Sequence, residues 1–571
     1  MKKNINSWYL SIVLTALLSA CSYDFPAPDP TTQPSTGNAD FTKYVALGNS
    51  LTAGMMDGAL YTRAQQNSFA AILGQQFKQV EGGEFVLPDI NAENGTNILN
   101  GLGRIIFAVD PTCPQAGPGL SFTTPDPITP FSGNISDMNN YGVPGMKLAW
   151  STGDGAVALL QNPFYTRWFA DLPSAAATNP VELAVAAQPT FFSIWLGNAD
   201  ALNYATGGGC VTSEMNESPT PPQYIGVDGE GKPIENPVKS ADYYNTLKQS
   251  GDGFGANDMT PTSAFQALYS GVVSGMLSGG GKGVVANIPE VTDIPYFRFV
   301  NPNQFAVPLD LGTVVPDAAG PPFAGMTYAD VLNFWYFQYG FTGMEDYNGD
   351  QVPDGPQRLF QPNANNFLAI ETFNANGERV IRQLDPSKDI TPMSLATIPT
   401  KLGLGPILDC EGNVVGAREG WGLVQNLPLT AEGTIDLVEL MKVIDQVRPY
   451  PVPSSFILDE TEKEAVAARI DAYNTIIADV ATANSDQLAL VDINDIFGKF
   501  ANEATPSTLG GIGVEATFAP PFGAFSADGV HPNGRGHAFV ANQFIGAINA
   551  KFSANVPLVN PNNYPGNDLP Q

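Results

Sequence analysis

Short apolar runs that end in glycine, asparagine or aspartate alternate with stretches of helical periodicity along the chain. Four of the runs are predicted to be buried strands: Lys43–Leu47, Pro189–Leu196, Gly283–Ile288 and Leu488–Ile493. Apolar positions at helical spacing precede the last two runs, over 263–277 and 460–481. Strands that alternate with helices are typical of a parallel sheet covered by helices, so the pattern predicts an α/β fold.

Long segments without clear periodicity lie between these strands and helices. They are rich in proline, glycine and asparagine and cover about 80–139, 205–260 and 301–455. We interpret them as insertions in one domain of residues 40–555, the last being long enough for a subdomain. Residues 556–571 are predicted to form a C-terminal tail. The 58 glycines and 48 prolines agree with many loops.

The N-terminus has the pattern of an exported lipoprotein. Lys2 and Lys3 precede an apolar stretch over 8–18, and residues 18–21 are Leu-Ser-Ala-Cys. The stretch is shorter than the roughly 20 residues that span a bilayer, and small residues before Cys21 suit peptidase cleavage. We therefore predict a signal peptide over 1–20 and lipidation of Cys21. The alternative is an ordinary signal peptide with a chance cysteine.

The residues after Cys21 predict a tether and a location. Residues 21–39 are rich in proline, threonine and serine and cannot form a core. Because Ser22, and not aspartate, follows Cys21, the outer membrane of a Gram-negative cell is favoured, on its periplasmic or outer face. Membrane attachment is expected through the lipid anchor at Cys21.

Charge and cysteine content narrow the classes of partner. The net charge of −30 and the lack of a basic stripe argue against nucleic-acid binding, because phosphates would be repelled. Cys113, Cys210 and Cys410 remain after Cys21, an odd number. One disulfide is compatible with an oxidising compartment, but the sequence leaves its pairing open.

A candidate nucleophile follows the first predicted strand. Residues 48–54 are GNSLTAG, so Ser50 is expected at a strand-to-helix turn on the carboxyl edge of the sheet. α/β folds bind ligands at this edge, and amides that open a helix can hold a developing oxyanion. Because a Gly-x-Ser turn is also common in structural roles, Ser50 needs a partner base to support catalysis.

A candidate acid and base stand together near the other end. Residues 528–533 are DGVHPN, which places Asp528 and His531 three apart in one loop. A serine hydroxyl needs a base that takes its proton, and the base needs an acid that holds its ring. The chain has only two histidines, and His537, at a predicted helix start, is expected to cap or pack. The alternative is a surface turn, which Asp-Gly and Pro-Asn also favour.

These segments resemble the conserved blocks of the SGNH (GDSL-like) hydrolases. Residues 48–54 and 528–537 (DGVHPNGRGH) are similar to the first and last blocks, with Asn49 where the family has aspartate. Residues 140–145 (NYGVPG) resemble the second block, which assigns an oxyanion amide to Gly145. The lipobox and insertions are similar to those of large GDSL-like lipoproteins of Bacteroidetes-type bacteria.

The third block departs from the family pattern. Residues 196–200 are LGNAD, and the oxyanion asparagine of the family falls on Ala199 when no gap is allowed. Loss of one oxyanion donor costs about 10²–10³ in rate. The neighbouring Asn198 is the candidate substitute if the turn is shifted.

The resemblance implies a flavodoxin-like three-layer α/β/α sandwich and ester hydrolysis through an acyl-enzyme, without a catalytic cofactor or metal. It implies that Ser50 attacks, that Asp528 and His531 complete the triad, and that the oxyanion is held by the Ser50 and Gly145 amides with Asn198. The expected substrate is an acyl ester on a lipid or an acylated glycan. Two alternatives stay open: a polysaccharide O-acetyl esterase, or a catalytically weakened lipoprotein that binds lipid or glycan.

A separate acidic motif predicts a structural calcium site. Its oxygen-bearing side chains occupy positions 1, 3, 5 and 9 of one loop, and a backbone carbonyl adds to them: Asp346, Asn348, Asp350, Asp354 and the carbonyl of Val352. A hard cation needs six to eight oxygens, and the spacing resembles thrombospondin type-3 calcium repeats. Gln351 and Gln357 depart from that pattern, and a solvated polar turn is the alternative.

Overall fold

The computed structural model describes most of the chain outside the N-terminus and the longest insertion. The described ranges are 33–98, 101–109, 118–209, 224–227, 233–235, 257–305, 311–312, 314, 325–327, 329–333, 359–362, 364–367, 369–373, 379–392, 406–408, 414–417, 456–502, 514–520 and 522–568. Cys21, Cys113, Cys210, Cys410 and the acidic motif 346–354 lie outside them.

A five-stranded parallel sheet forms the centre of the fold. Its strands are β1 (Tyr44–Gly48), β2 (Asn140–Gly142), β3 (Phe191–Trp195), β4 (Lys282–Ala286) and β5 (Leu488–Val491). The spatial order is β2-β1-β3-β4-β5, and every neighbouring pair is parallel. This is the flavodoxin-like doubly wound order, in which the chain changes direction between β1 and β3 and leaves a crevice there.

The four strands predicted from sequence are present, and their bounds differ from the prediction by at most two residues. The remaining strand, β2, was not predicted, since its three residues are too few to show a pattern of apolar positions. The α/β class with a parallel sheet is therefore confirmed, and its layers are compatible with a three-layer sandwich.

Helices cover both faces of the sheet. The principal helices are α1 (Ser50–Ala53), α2 (Phe69–Lys78), α3 (Pro180–Ala186), α4 (Asn198–Thr206), α5 (Thr262–Leu277), α6 (Glu460–Ala483), α7 (Ile493–Asn502) and α8 (Gly534–Phe552). Short α-helices lie at Thr62–Gln66, Pro163–Thr166, Leu172–Ala176 and Pro295–Arg298. Short 3₁₀ helices lie at Ile135–Asp137, Leu148–Trp150, Gly153–Gln161, Val291–Asp293, Pro302–Phe305 and Pro561–Asn563.

Alternating side chains of the strands divide the core into two layers. In β1, Val45 and Leu47 pack into a cluster with residues of α5 and α6. Tyr44 and Ala46 point to the opposite face, into a cluster with residues of α2 and α8. Successive side chains of a strand face opposite sides, so a buried strand must be apolar throughout, as β1 is.

Small antiparallel hairpins lie within the predicted insertions. They pair 105–109 with 118–122, 224–227 with 233–235, 369–373 with 379–383, and 406–408 with 414–417. In the described part of the chain, no helix is long and apolar enough to cross a membrane.

The start of the described chain packs against the segment that follows α8. Ser35 and Asn555 form an antiparallel bridge, in the segment predicted as a tether and just before the predicted tail. Val556 and Val559 are buried in the layer that contains α8. Residues up to 568 continue along the surface beside the loop of Asp528, as the contacts of Asn567 below show.

Candidate active site

Ser50 lies at the carboxyl edge of the sheet, where β1 turns into α1. The side chain of Asn49 caps this helix, because its Oδ1 accepts a hydrogen bond from the Leu51 amide at 3.2 Å. A Cβ on Gly48 would lie 2.1 Å from Thr52 Oγ1 and 2.7 Å from the Trp195 carbonyl oxygen, so glycine is required there. Ser50 is partly exposed and thus accessible to a ligand.

Gly145 lies in a tight turn after the neighbouring strand β2. The Met146 amide donates to the Val143 carbonyl at 3.0 Å, Pro144 occupies the second position, and Gly145 has φ of 76°. These are the features of a type II turn, which needs a glycine at its third position. Gly145 is exposed, and a Cβ on it would meet nothing within 4 Å. Its backbone therefore borders open space.

Asn198 begins α4, just after β3. Gly197 before it has φ of 104°, a conformation that favours glycine and sets the direction in which the helix leaves the strand. The Asn198 side chain is 5% exposed, yet neither its Nδ2 nor its Oδ1 has a hydrogen-bond partner among the described residues. An unpaired buried amide typically costs about 1–3 kcal/mol, so its presence needs an explanation.

Ser50, Gly145 and Asn198 lie at the same edge of the sheet because they follow neighbouring strands. β1 lies between β2 and β3, and all three run parallel. Ser50, Gly145 and Asn198 follow the carboxyl ends of these strands by two or three residues. The backbone amides of Ser50 and Gly145 donate no hydrogen bond within the described chain. Two free amides and one unpaired carboxamide are thus collected at one edge of the sheet.

Asp528 and His531 form a close pair in the loop before α8. His531 Nδ1 lies 2.7 Å from Asp528 Oδ2. Asp528 Oδ1 accepts from the amides of Val530 at 2.8 Å and His531 at 2.9 Å. Both residues are at most 9% exposed. The carboxylate is therefore fixed in place and holds one ring nitrogen of His531, leaving the other for a substrate or nucleophile.

The loop of Asp528 is attached to the segment that follows α1. The Gly58 amide donates to Asp528 Oδ2 at 2.7 Å, and the Asp57 amide donates to Ser526 Oγ at 2.9 Å. These contacts bring the acid and base to the side of the sheet where Ser50 begins its helix. Within the described residues no hydrogen bond joins the Ser50 hydroxyl to the His531 ring. Such contacts are often longer before substrate binds.

The environment of Asp528 keeps its carboxyl ionised. Burial opposes ionisation, but the adjacent His531 and the hydrogen bonds from the loop outweigh it and lower the pKa of Asp528 to about 2. The native state then binds fewer protons than the unfolded state between about pH 4 and pH 2. This contribution to stability is complete above the ordinary pKa of an aspartate and is lost as the pH falls through about 2.

We expect Asp528→Asn to change how the free energy of unfolding depends on acid. The variant lacks the ionised carboxylate, so it should lose about 2 kcal/mol of stability relative to the parent at neutral pH, and this difference should shrink as the pH falls from 4 to 2. Denaturant unfolding of both proteins at pH 7, 4 and 2.5 measures it. A difference that is constant over this range would contradict the assigned ionisation.

The second histidine lies in the core. His537 is fully buried in α8, and its Nδ1 accepts a hydrogen bond from the Phe69 amide at 3.2 Å. Burial, together with the charge of His531, lowers the pKa of His537 to about 3, so the ring is neutral. The prediction that His537 packs and does not act as the base agrees with this placement.

Asp200 braces the loops around the site. Its Oδ2 accepts from the Leu148 amide at 2.8 Å, and its Oδ1 accepts from the Thr260 hydroxyl. Burial raises the pKa of Asp200, and the nearby charge of Lys147 opposes this shift. These bonds join the segment that follows Gly145 to the start of α4, and thereby hold two of the candidate oxyanion positions together.

Two features near the site were not found from the sequence. Asp57 is a buried carboxylate that contacts the Asp528 loop, although some 470 residues separate the two. Asn567, in the predicted tail, donates from Nδ2 to the carbonyls of Phe518 at 2.7 Å and Phe525 at 2.9 Å. No local pattern signals either contact, because each depends on segments brought together only by the fold.

Within the described residues, no group of three His, Cys, Asp or Glu side chains is arranged to hold a metal ion. The predicted calcium ligands Asp346, Asn348, Asp350, Val352 and Asp354 lie outside those residues, so that prediction stays open. The chain matches no protein-family model, and no curated protein or solved structure gives a significant match.

Proposed function

We propose that this chain is an exported, lipid-anchored serine esterase with the SGNH hydrolase fold, and that Ser50, His531 and Asp528 are its triad. The observation that carries the proposal is the Asp528–His531 pair, 2.7 Å apart and anchored to the segment after Ser50. The doubly wound strand order and the carboxyl-edge position of Ser50 support it. The segments of the sequence that resemble the SGNH blocks contain these same residues.

In the proposed mechanism, the ester carbonyl lies beside Ser50. His531 Nε2 takes the proton of the Ser50 hydroxyl as its oxygen attacks the carbonyl carbon, while Asp528 stabilises the charged ring. The tetrahedral intermediate collapses when His531 protonates the leaving alcohol. Water then attacks the acyl-enzyme with the same base, and the acid is released.

The proposed oxyanion site combines the amides of Ser50 and Gly145 with the carboxamide of Asn198. A developing negative charge gives the Asn198 Nδ2 the acceptor that it lacks among the described residues. Groups that are unpaired in the resting protein and paired in the transition state lower the barrier selectively. This assignment uses Asn198 in place of Ala199, the position that the family pattern favours without a gap.

The same observation weighs against the alternative of a catalytically weakened binding lipoprotein. Such a protein has no need for both a buried, unpaired carboxamide at Asn198 and an oriented Asp528–His531 pair. A polysaccharide O-acetyl esterase would use the same residues, but its substrate has a short acyl group on a sugar hydroxyl. The chain length of the substrate therefore separates the two esterase hypotheses.

The function is tested by hydrolysis of p-nitrophenyl acetate, butyrate and dodecanoate, with the chain lacking residues 1–21. We expect hydrolysis that saturates with substrate and covalent labelling of Ser50 by a fluorophosphonate. A preference for acetate would favour deacetylation of a glycan, and a preference for the longer esters would favour a lipid substrate. Background hydrolysis with no labelling would reject the esterase.

The lipid anchor is tested separately. We expect the Cys21→Ser variant, expressed in a Gram-negative host, to lose incorporation of a palmitate analogue and to leave the membrane fraction, because the thiol is the proposed point of attachment of the lipid. Fractionation and in-gel detection of the analogue measure both effects. Lipid incorporation that persists in the variant would reject Cys21 as the anchor.

A further inference from the structure

Asp57 occupies a tight turn between α1 and the following helix. Met56 and Ala59 exchange hydrogen bonds at 3.1 and 2.9 Å, and the two residues between them, Asp57 and Gly58, have φ of 54° and 73°. Left-handed backbone at both central positions is the geometry of a type I′ turn. Aspartate tolerates this conformation, but glycine or asparagine would suit it equally well, so the turn does not by itself require a carboxylate.

The main chain of this turn contacts the candidate acid. The Gly58 amide shares Asp528 Oδ2 with the His531 ring. The Asp57 amide donates to Ser526 Oγ, and that hydroxyl donates to Asp528 Oδ1 at 2.9 Å. Both oxygens of Asp528 are therefore held, directly or through Ser526, by the turn that follows the nucleophile.

The side chain of Asp57 extends the network to a second layer. Its Oδ1 accepts from the Ala527 amide at 2.9 Å, and its Oδ2 accepts from the Tyr61 hydroxyl at 2.7 Å. Arg104 Nη1 lies 3.8 Å from Oδ2 and 3.5 Å from Asp568. Asp57 is buried, with its side chain only 10% exposed.

Holding a charge here is unfavourable for the fold. Burial, and to a lesser degree the charge of Asp528, raise the pKa of Asp57 to about 6, while the Ala527 amide, Tyr61 and Arg104 oppose the shift. The native state binds more protons than the unfolded state between about pH 4 and 6. Asp57 therefore makes the fold less stable as the pH rises through this range, so its carboxylate is better explained by function than by stability.

We propose that Asp57 is a positioning residue of the candidate triad: its carboxylate fixes the Asp528 loop through the Ala527 amide and thereby holds Asp528 against the His531 ring. This inference rests on the proposed function. The charged and titratable groups that face Asp57 are Tyr61, Arg104 and Asp528. Arg104 is itself paired with Asp568, so it offsets the charge of Asp57 only in part. Removal of that charge weakens the bond from the Ala527 amide and loosens the loop that carries Asp528.

The test uses the full chain in detergent and the rate at which a fluorophosphonate labels Ser50, measured from pH 5 to 9. In labelling, the serine oxygen bonds to phosphorus, fluoride leaves, and His531 accepts the proton. We expect Asp57→Asn to label about tenfold more slowly at its optimum, and the acidic limb of its pH profile to move about half a unit lower. A purely structural residue would not move the limb.

Matched variants separate charge from folding. Asp57→Gly removes the carboxylate and suits the left-handed backbone, so it should shift the acidic limb as Asp57→Asn does. If one of the two variants folds poorly, the other still tests the role of the carboxylate. Tyr61→Phe removes one hydrogen bond to Asp57 but keeps the Asp57 carboxylate. It should therefore shift the acidic limb by less than either Asp57 variant does. Above pH 7, Asp57→Asn should be at least as resistant to denaturant as the parent.

Two outcomes are distinguishable. If the parent labels at Ser50 and neither Asp57 variant changes the rate or the limb, the positioning role is overturned and the esterase stands. If the parent does not label, or Ser50→Ala labels equally, the proposed function fails and the positioning role fails with it.

Discussion

Ser50→Ala is expected to lower kcat/KM for ester hydrolysis by about 10⁴- to 10⁶-fold, because no other group supplies the attacking oxygen. Residual turnover above the uncatalysed rate would come from the oxyanion site and substrate binding alone. Initial rates with p-nitrophenyl butyrate measure the effect, and intact-protein mass after fluorophosphonate treatment checks the loss of labelling. Ser50 is partly exposed, so the substitution should leave the unfolding midpoint nearly unchanged.

The two histidines provide a matched control for the base. His531→Ala should lose activity to a similar degree, since the hydroxyl then lacks a proton acceptor. His537→Gln should keep activity within a few-fold, because that ring lies in the core and contacts the Phe69 amide. It should instead lose about 1–3 kcal/mol of stability. Equal loss of activity in both variants at full folding would contradict the assignment of His531.

Asn198→Leu is expected to lower kcat by about 10²- to 10³-fold with little change in KM, because the carboxamide is used mainly when the oxyanion develops. Leucine has a similar shape and removes the buried, unpaired amide. The variant should therefore be more stable by about 1–3 kcal/mol. Opposite changes in activity and stability are typical of a residue retained for function. Steady-state kinetics and denaturant unfolding measure the two effects.

The neighbouring position decides which residue of the third block acts. If Asn198 is the donor, Ala199→Asn should not raise kcat, and it should not rescue Asn198→Leu. Rescue in the double variant would show that an asparagine at 199 reaches the oxyanion, as the family pattern suggests. Unchanged kcat in Asn198→Leu itself would remove Asn198 from the site.

Local sequence was sufficient for much of the framework. Continuous apolar runs in the sequence identified β1, β3, β4 and β5, since a strand covered on both faces must be apolar along its length. The pairing of Asp528 with His531 followed from their separation of three residues in one loop. Strand β2 was not predicted, because three residues show no periodicity. Its position depends on the close approach of Gly142 to Ala53.

The sequence by itself determined the α/β class, the candidate nucleophile and the candidate base, because these depend on periodicity within one segment and on a chain with only two histidines. Only the tertiary structure decided the strand order, the unpaired state of Asn198 and the contact of Asp57 with the Asp528 loop. These features join segments as much as 470 residues apart. The packing of the sheet brings such segments together, and no pattern within either segment encodes the other.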